Sequence, residues 1–146
     1  IAGEKTFPFL HNFSYRTTGW KWMIARVLDE AQRMTLTPVL APLLQSFLAD
    51  AVECSSSDIQ VTIDPAAGEL RVVDASPGGS GLSEALLTQA RVAAGLSTLR
   101  KTLRSYQRRG AQAFRRYLAE QCHADADTDG KEVLDAVGRL ADAWQG

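Results

Sequence analysis

From Ile59 to Leu82 the chain has little choice of conformation. Ile59, Val61 and Ile63 alternate with Gln60 and Thr62, and Leu70, Val72 and Val73 follow across the turn-forming stretch Asp64-Pro65-Ala66-Ala67-Gly68. Alternation places one apolar row on one face of an extended backbone, so two such runs split by five turn residues predict a β-hairpin. Directly after Asp74 comes Ala75-Ser76-Pro77-Gly78-Gly79-Ser80-Gly81, and Leu82, Leu86, Leu87, Ala90, Ala93 and Ala94 then resume at helical spacing. The unit is strand, glycine loop, helix.

The flanking segments are helix-rich. From Gly19, the positions Trp20, Ile24, Val27, Leu28 and Ala31 recur at helical spacing and predict a first helix. Thr37-Pro38, with Pro42 soon after, predicts the start of a second, in which Leu40, Leu43, Leu44, Phe47, Leu48 and Ala51 form one stripe and Cys54-Ser55-Ser56-Ser57 ends it. A further helix from about Leu99 to Cys122 and a last one from about Lys131 to Trp144 complete the pattern. Residues 1–18 mix Phe7, Pro8, Phe9, Phe13 and Tyr15 with polar residues at no sustained period, and predict an extended N-terminal arm packed through its aromatics. The expected fold is α/β (α+β): a helix-rich single domain over 19–146, with about five helices and a small β-hairpin sheet followed by the Gly-rich loop.

Composition agrees with that architecture. The 146 residues suit one domain with a real core, and 45% hydrophobic with 23% charged residues is a globular balance, neither disordered nor fibrous. Apolar stretches break well before the roughly 18 residues a membrane helix needs, and no basic segment leads into an apolar one as in a secretory signal. Two cysteines, Cys54 and Cys122, are too few for a disulfide framework and lack CxxC pairing, so reduced thiols and a cytoplasmic setting are expected, with no membrane partner. Residue 1 is Ile, so the chain is expected to start inside a longer polypeptide or after processing.

Charge is segregated. The formal total is −1, yet Leu96 to Cys122 holds seven Arg or Lys residues against one acid, Glu120, while His123 to Gly146 holds six acids against Lys131 and Arg139. Such local fields steer partners more than the net sum does. On a helical wheel, Leu99, Leu103, Tyr106, Gly110, Ala113, Phe114 and Tyr117 fall on one side, and Arg100, Lys101, Arg104, Arg108, Arg109, Arg115 and Arg116 on the other. A continuous helix from Arg100 to Arg116 would rise about 24 Å, enough to pass several phosphates. Guanidinium forks suit phosphates because they donate two parallel hydrogen bonds. The same stripe also fits an acidic protein surface, or a merely solvated face paired with the acidic C-terminal helix.

The glycine loop has two readings as well. Three glycines in four residues permit positive φ and expose amides at a helix N-terminus, where an anion could sit. Alternatively the glycines only allow close packing of helix and strand, with Asp74 accepting hydrogen bonds from the loop's own amides. GxxxxGK[ST] and GxGxxG are absent, and Ser80 is no nucleophile elbow because Leu82 stands where GxSxG needs Gly. No nucleophile, base and metal set converges in the sequence, so the chain is expected to be non-catalytic, with no cofactor.

The segment Val72-Val73-Asp74-Ala75-Ser76-Pro77-Gly78-Gly79-Ser80-Gly81-Leu82, with the apolar helix and strand before it, resembles the C-terminal accessory domain of MrfA-like superfamily-two DNA helicases and of related DISARM-type phage-defence proteins. The likeness spans at best Leu40 to Ala94, and Asp74, Pro77, Gly78, Gly79, Ser80 and Gly81 fill its characteristic places. It implies a helicase or defence-complex accessory module with DNA or a subunit of that complex as partner. Many members carry four zinc-binding cysteines after the glycine-loop helix. This chain has Cys122 alone there, so no metal site carries over. Walker A and Asp-Glu-x-His motor motifs are also missing, which would put any ATPase on another part of the polypeptide or on a partner.

Other signals are weaker. Asp125-Ala126-Asp127-Thr128-Asp129-Gly130 opens like an EF-hand loop, but its twelfth position is Ala136 instead of Glu, so an acidic loop at the start of the last helix is expected. His123 beside Cys122, with distant His11 and Cys54, has no metal-ligand spacing. Of Trp20, Trp22 and Trp144, whose rings could stack on bases, Trp20 lies on the apolar stripe and is expected in the core, and Trp22, just beyond that stripe, is the one to check for exposure.

Overall fold

The computed structural model describes residues 7–10 as backbone, and residues 16–122 and 128–144. Its elements are β1 (Phe7–Leu10), β2 (Arg16–Met23), α1 (Glu30–Ala51), β3 (Ile59–Asp64), β4 (Glu69–Asp74), α2 (Leu82–Thr88), α3 (Val92–Arg108), α4 (Ala111–Cys122) and α5 (Gly130–Ala143). The fold is α+β, with five helices and one antiparallel sheet of order β1-β2-β4-β3 among the described residues.

The β3–β4 hairpin forms as the alternation requires. Ile59, Val61 and Ile63 pair with Asp74, Val72 and Leu70, so one face carries a continuous buried row. The strand on the far side of β4 was not expected: Trp20 pairs with Val72 and Trp22 with Leu70, so the segment assigned to a first helix is β2. The alternation Trp20-Lys21-Trp22 is the strand signal, and spacing to Ile24, Val27 and Leu28 obscured it. Both tryptophans lie in the core, and Trp22, the candidate for exposure, is only 3% exposed. Trp144 packs against both, 5.6 Å from Trp20 and edge-on at 4.9 Å from Trp22. Gly19 sits opposite Val73, where a Cβ would collide with the Val72 carbonyl and the Val73 side chain. β2 also runs across residue 18, so Thr17 and Thr18 belong to the sheet, not to a separate arm. Phe13 and Tyr15 lie outside the described residues.

α1 is one helix, not a helix beginning at Thr37. Its start is written at Asp29-Glu30-Ala31-Gln32: the Asp29 carboxylate accepts from the Gln32 amide at 2.8 Å, and the Gln32 side chain accepts from the Asp29 amide, a reciprocal capping box. Pro38 and Pro42, read as a start signal, stand inside it. Four apart, they share the exposed face with Met34, so the two missing amide donors fall on the solvent side, where free carbonyls cost least. The opposite face, with Leu36, Leu40, Leu43, Leu44 and Leu48, is buried against β3, α3, α4 and α5.

Arg33, on α1, is 6% exposed. Its guanidinium donates to the carbonyls of Pro65 (2.8 Å), Leu28 (2.6 Å) and Ala25 (3.3 Å), tying the β3–β4 turn and the β2–α1 connection to the helix. Carbonyl acceptors thus offset the burial of this cation.

Candidate nucleic-acid interface

The basic segment folds as two helices. Gly110 takes φ +110°, a value that L side chains rarely adopt, and ends α3 before α4 begins. The seven cations therefore do not lie along one 24 Å rod: Arg100, Lys101, Arg104 and Arg108 are on α3, Arg109 caps its C-terminus, and Arg115 and Arg116 are on α4. Each helix nevertheless keeps the predicted division of faces. Leu96, Leu99 and Leu103 of α3 and Phe114, Tyr117 and Leu118 of α4 are buried, while Lys101, Arg104, Arg108, Arg109, Arg115 and Arg116 are exposed. Similarly, the helix expected from Leu82 through Ala94 breaks at Ala90 (φ +53°) into α2 and α3.

One of the seven is neutralised within the molecule. Arg100 reaches Asp142 of α5 at 3.0 Å, and its guanidinium lies on Gly138, where a Cβ would come within 3.2 Å of it. Arg139 of α5 pairs with Asp135 one turn earlier. These two pairs and Arg104 line a cleft of about 220 Å³ between α3 and α5. The other six cations of α3 and α4 make no ion pair among the described residues. The Arg108 side chain donates at 3.4 Å to the Arg104 carbonyl, and the Arg109 guanidinium lies over the Tyr106 ring, 4.7 Å from its centroid. Tyr106 in turn stacks on Tyr117, centroids 4.1 Å apart and planes 20° apart. Burial pushes the Tyr117 phenol up from its ordinary 10.0 to about 12.

The glycine loop is closed on itself. The fully buried Asp74 carboxylate accepts from the amides of Ser80 and Gly81 through Oδ2, both at 3.0 Å, and from that of Ser83 through Oδ1 at 2.7 Å. These are the amides at the start of α2 that an external anion would use, so the chain supplies its own anion. Thr17 brings its hydroxyl to the Asp74 and Ser76 carbonyls (2.7 and 3.0 Å), and Trp20 Nε1 donates to the Ser83 carbonyl at 2.7 Å. Gly79, at φ +87°, has no room for a Cβ, which would sit 2.6 Å from Thr18 Oγ1 and 3.1 Å from Asp74 Oδ2. Gly78 and Gly81 also take positive φ, but face open space, as does the exposed Pro77. Of the two readings of the loop, the geometry is that of a latch joining β2, β4 and α2.

The remaining signals resolve locally. Asp129 caps α5 through the Lys131 amide, and Gly130 lets the Phe114 ring approach. Asp125, Asp127, His123 and His11 lie outside the described residues. Among the described residues no three His, Cys, Asp or Glu side chains gather as a metal site would require. Cys122 is buried, which pushes its thiol up from 9.0 to about 11, and Cys54, half-buried near Asp58 and Asp50, is raised mainly by burial. No described helix is long and apolar enough to cross a membrane.

Fold and site together define an α+β domain with a latched strand–loop–helix unit and an arginine-faced helix pair. No family model, curated protein or solved structure matches this chain.

Proposed function

We propose that this chain is a non-catalytic accessory module that holds a nucleic-acid backbone through the exposed cations of α3 and α4. The observation that carries the reading is that Lys101, Arg104, Arg108, Arg109, Arg115 and Arg116 stand exposed with no carboxylate partner among the described residues. α3 contains no acid at all, and α4 only Glu120. Such a surface repels itself, and binding a polyanion relieves that repulsion while releasing condensed counterions. Contacts of this kind position a backbone without reading its bases, so binding is sequence-independent. The likeness of Asp74 to Gly81 to the helicase accessory domain supports a place in a cytoplasmic DNA-processing or phage-defence assembly, where the motor lies outside this chain.

Fluorescence anisotropy with a labelled oligonucleotide tests the reading. If all six cations engage a duplex, affinity falls about a thousandfold between 50 and 200 mM salt. Arg104→Glu with Arg108→Glu is expected to abolish binding at unchanged circular dichroism. Absence of binding even at low salt sinks the proposal. In that event the Arg100–Asp142 pair, a carboxylate already accepted at this surface, favours an acidic protein partner, detectable with polyglutamate as probe.

A further inference from the structure

At the elbow between α3 and α4, three planar groups are piled in order: Tyr117, Tyr106 and the guanidinium of Arg109. Tyr117 is 9% exposed and Tyr106 is half-buried, so the pile is anchored in the core at one end. Arg109 is exposed, and its side chain makes no hydrogen bond or ion pair among the described residues. Its guanidinium therefore rests over an aromatic ring while the side chain stays accessible to solvent. The backbone holds it there: the Arg109 amide donates to the Tyr106 carbonyl at 3.0 Å, and the adjoining Gly110 makes the sharp bend.

From this pile we infer that Arg109 is a base-stacking platform, and that the preferred ligand of the α3–α4 surface is a single-stranded nucleic acid with at least one unpaired base. The inference rests on the nucleic-acid reading above and adds what phosphate contacts alone cannot supply, namely a preference for exposed bases. A guanidinium plane backed by an aromatic ring stacks on any base, because every base has a π-face. Contact with the ring already restricts the side chain, so less conformational freedom is lost on binding. In a duplex the bases are paired and stacked on one another, so this face would find only their phosphates. Arg108, before the elbow on α3, and Arg115, after it on α4, are both exposed and can supply phosphate contacts to the same strand.

The test uses three labelled ligands of equal length at one low salt concentration: a single-stranded oligothymidine, the same strand made wholly of abasic sites, and a duplex. The intact chain is expected to bind the base-bearing strand about tenfold more tightly than the abasic one. Arg109→Lys keeps the charge and removes the plane; it is expected to abolish that difference, bringing the base-bearing strand down to the affinity of the abasic one. A 2-aminopurine placed in the strand should be quenched by the intact chain and not by the variant. Equal binding of base-bearing and abasic strands, or a base preference that survives Arg109→Lys, overturns the inference and leaves the backbone reading standing. Failure to bind any of the three overturns both.

Discussion

At the scale of single residues, the fold depends on two buried charges satisfied by backbone. Asp74 accepts three amides and closes the glycine loop onto β4, while Arg33 donates to three carbonyls and through Pro65 joins α1 to the distant β3–β4 turn. Replacing Asp74 by Asn leaves one side-chain oxygen for three donors and turns an amide group towards N–H groups. Asp74→Asn is expected to cost about 3 kcal/mol, since hydrogen bonds to a charged group are the strong ones and a buried unmet donor pays its full desolvation penalty. Urea unfolding monitored by tryptophan fluorescence measures it, because Trp20 donates to the same turn through Ser83. Asp74 was legible as a loop-capping residue in the sequence, where a carboxylate directly precedes a glycine run. Arg33 was not legible, because its acceptors are carbonyls at Ala25, Leu28 and Pro65, and carbonyls leave no trace in residue type.

At the scale of elements, glycine and proline acted through their surroundings. Gly110 lay on the apolar side of a wheel drawn through one long helix, yet its φ of +110° divides that helix in two. A Cβ at this position meets nothing within 4 Å, so Gly110→Ala is expected to cost about 2 kcal/mol from backbone strain alone. Thermal unfolding gives the loss, and the Tyr106–Tyr117 stack should loosen with it, visible in near-ultraviolet circular dichroism. Conversely, Pro38 and Pro42 looked like helix starters and are interior residues, tolerated because both fall on the open face of α1. The capping box at Asp29 and Gln32 was present in the sequence as the true start. Strand β2 was hidden for a different reason: its partner, β4, is about fifty residues away, and only the register Trp20 to Val72 and Trp22 to Leu70 makes its alternation decisive.

At the scale of the whole molecule, titration at alkaline pH links the thiol and phenol of α4 to stability. Folding raises Cys122 from 9.0 to about 11 and Tyr117 from 10.0 to about 12, because the buried forms must stay neutral. The folded state holds these protons more tightly than the unfolded one, so the stabilisation is complete below pH 9 and is lost as pH climbs towards 12. The melting temperature is expected to fall across that window, and Cys122→Ala should flatten its lower part between pH 9 and 11. Charge works at the same scale: basic α3 lies beside the acid-bearing α5, yet among the described residues only Arg100 of α3 is drawn into an ion pair with it, through Asp142.

The sequence alone determined what depends on near neighbours. The β3–β4 hairpin, the glycine loop latched by Asp74, the last helix and the separation of cations from apolar residues all follow from period and turn chemistry within about twenty residues. Tertiary structure decided the rest: that Trp20 and Trp22 extend the sheet, that α1 runs through two prolines, and that the basic segment bends at Gly110 so that Arg109 rests on Tyr106. Each of those outcomes is set by which distant surface is buried against the segment, and burial against a distant partner is a property of the packed chain rather than of any window within it.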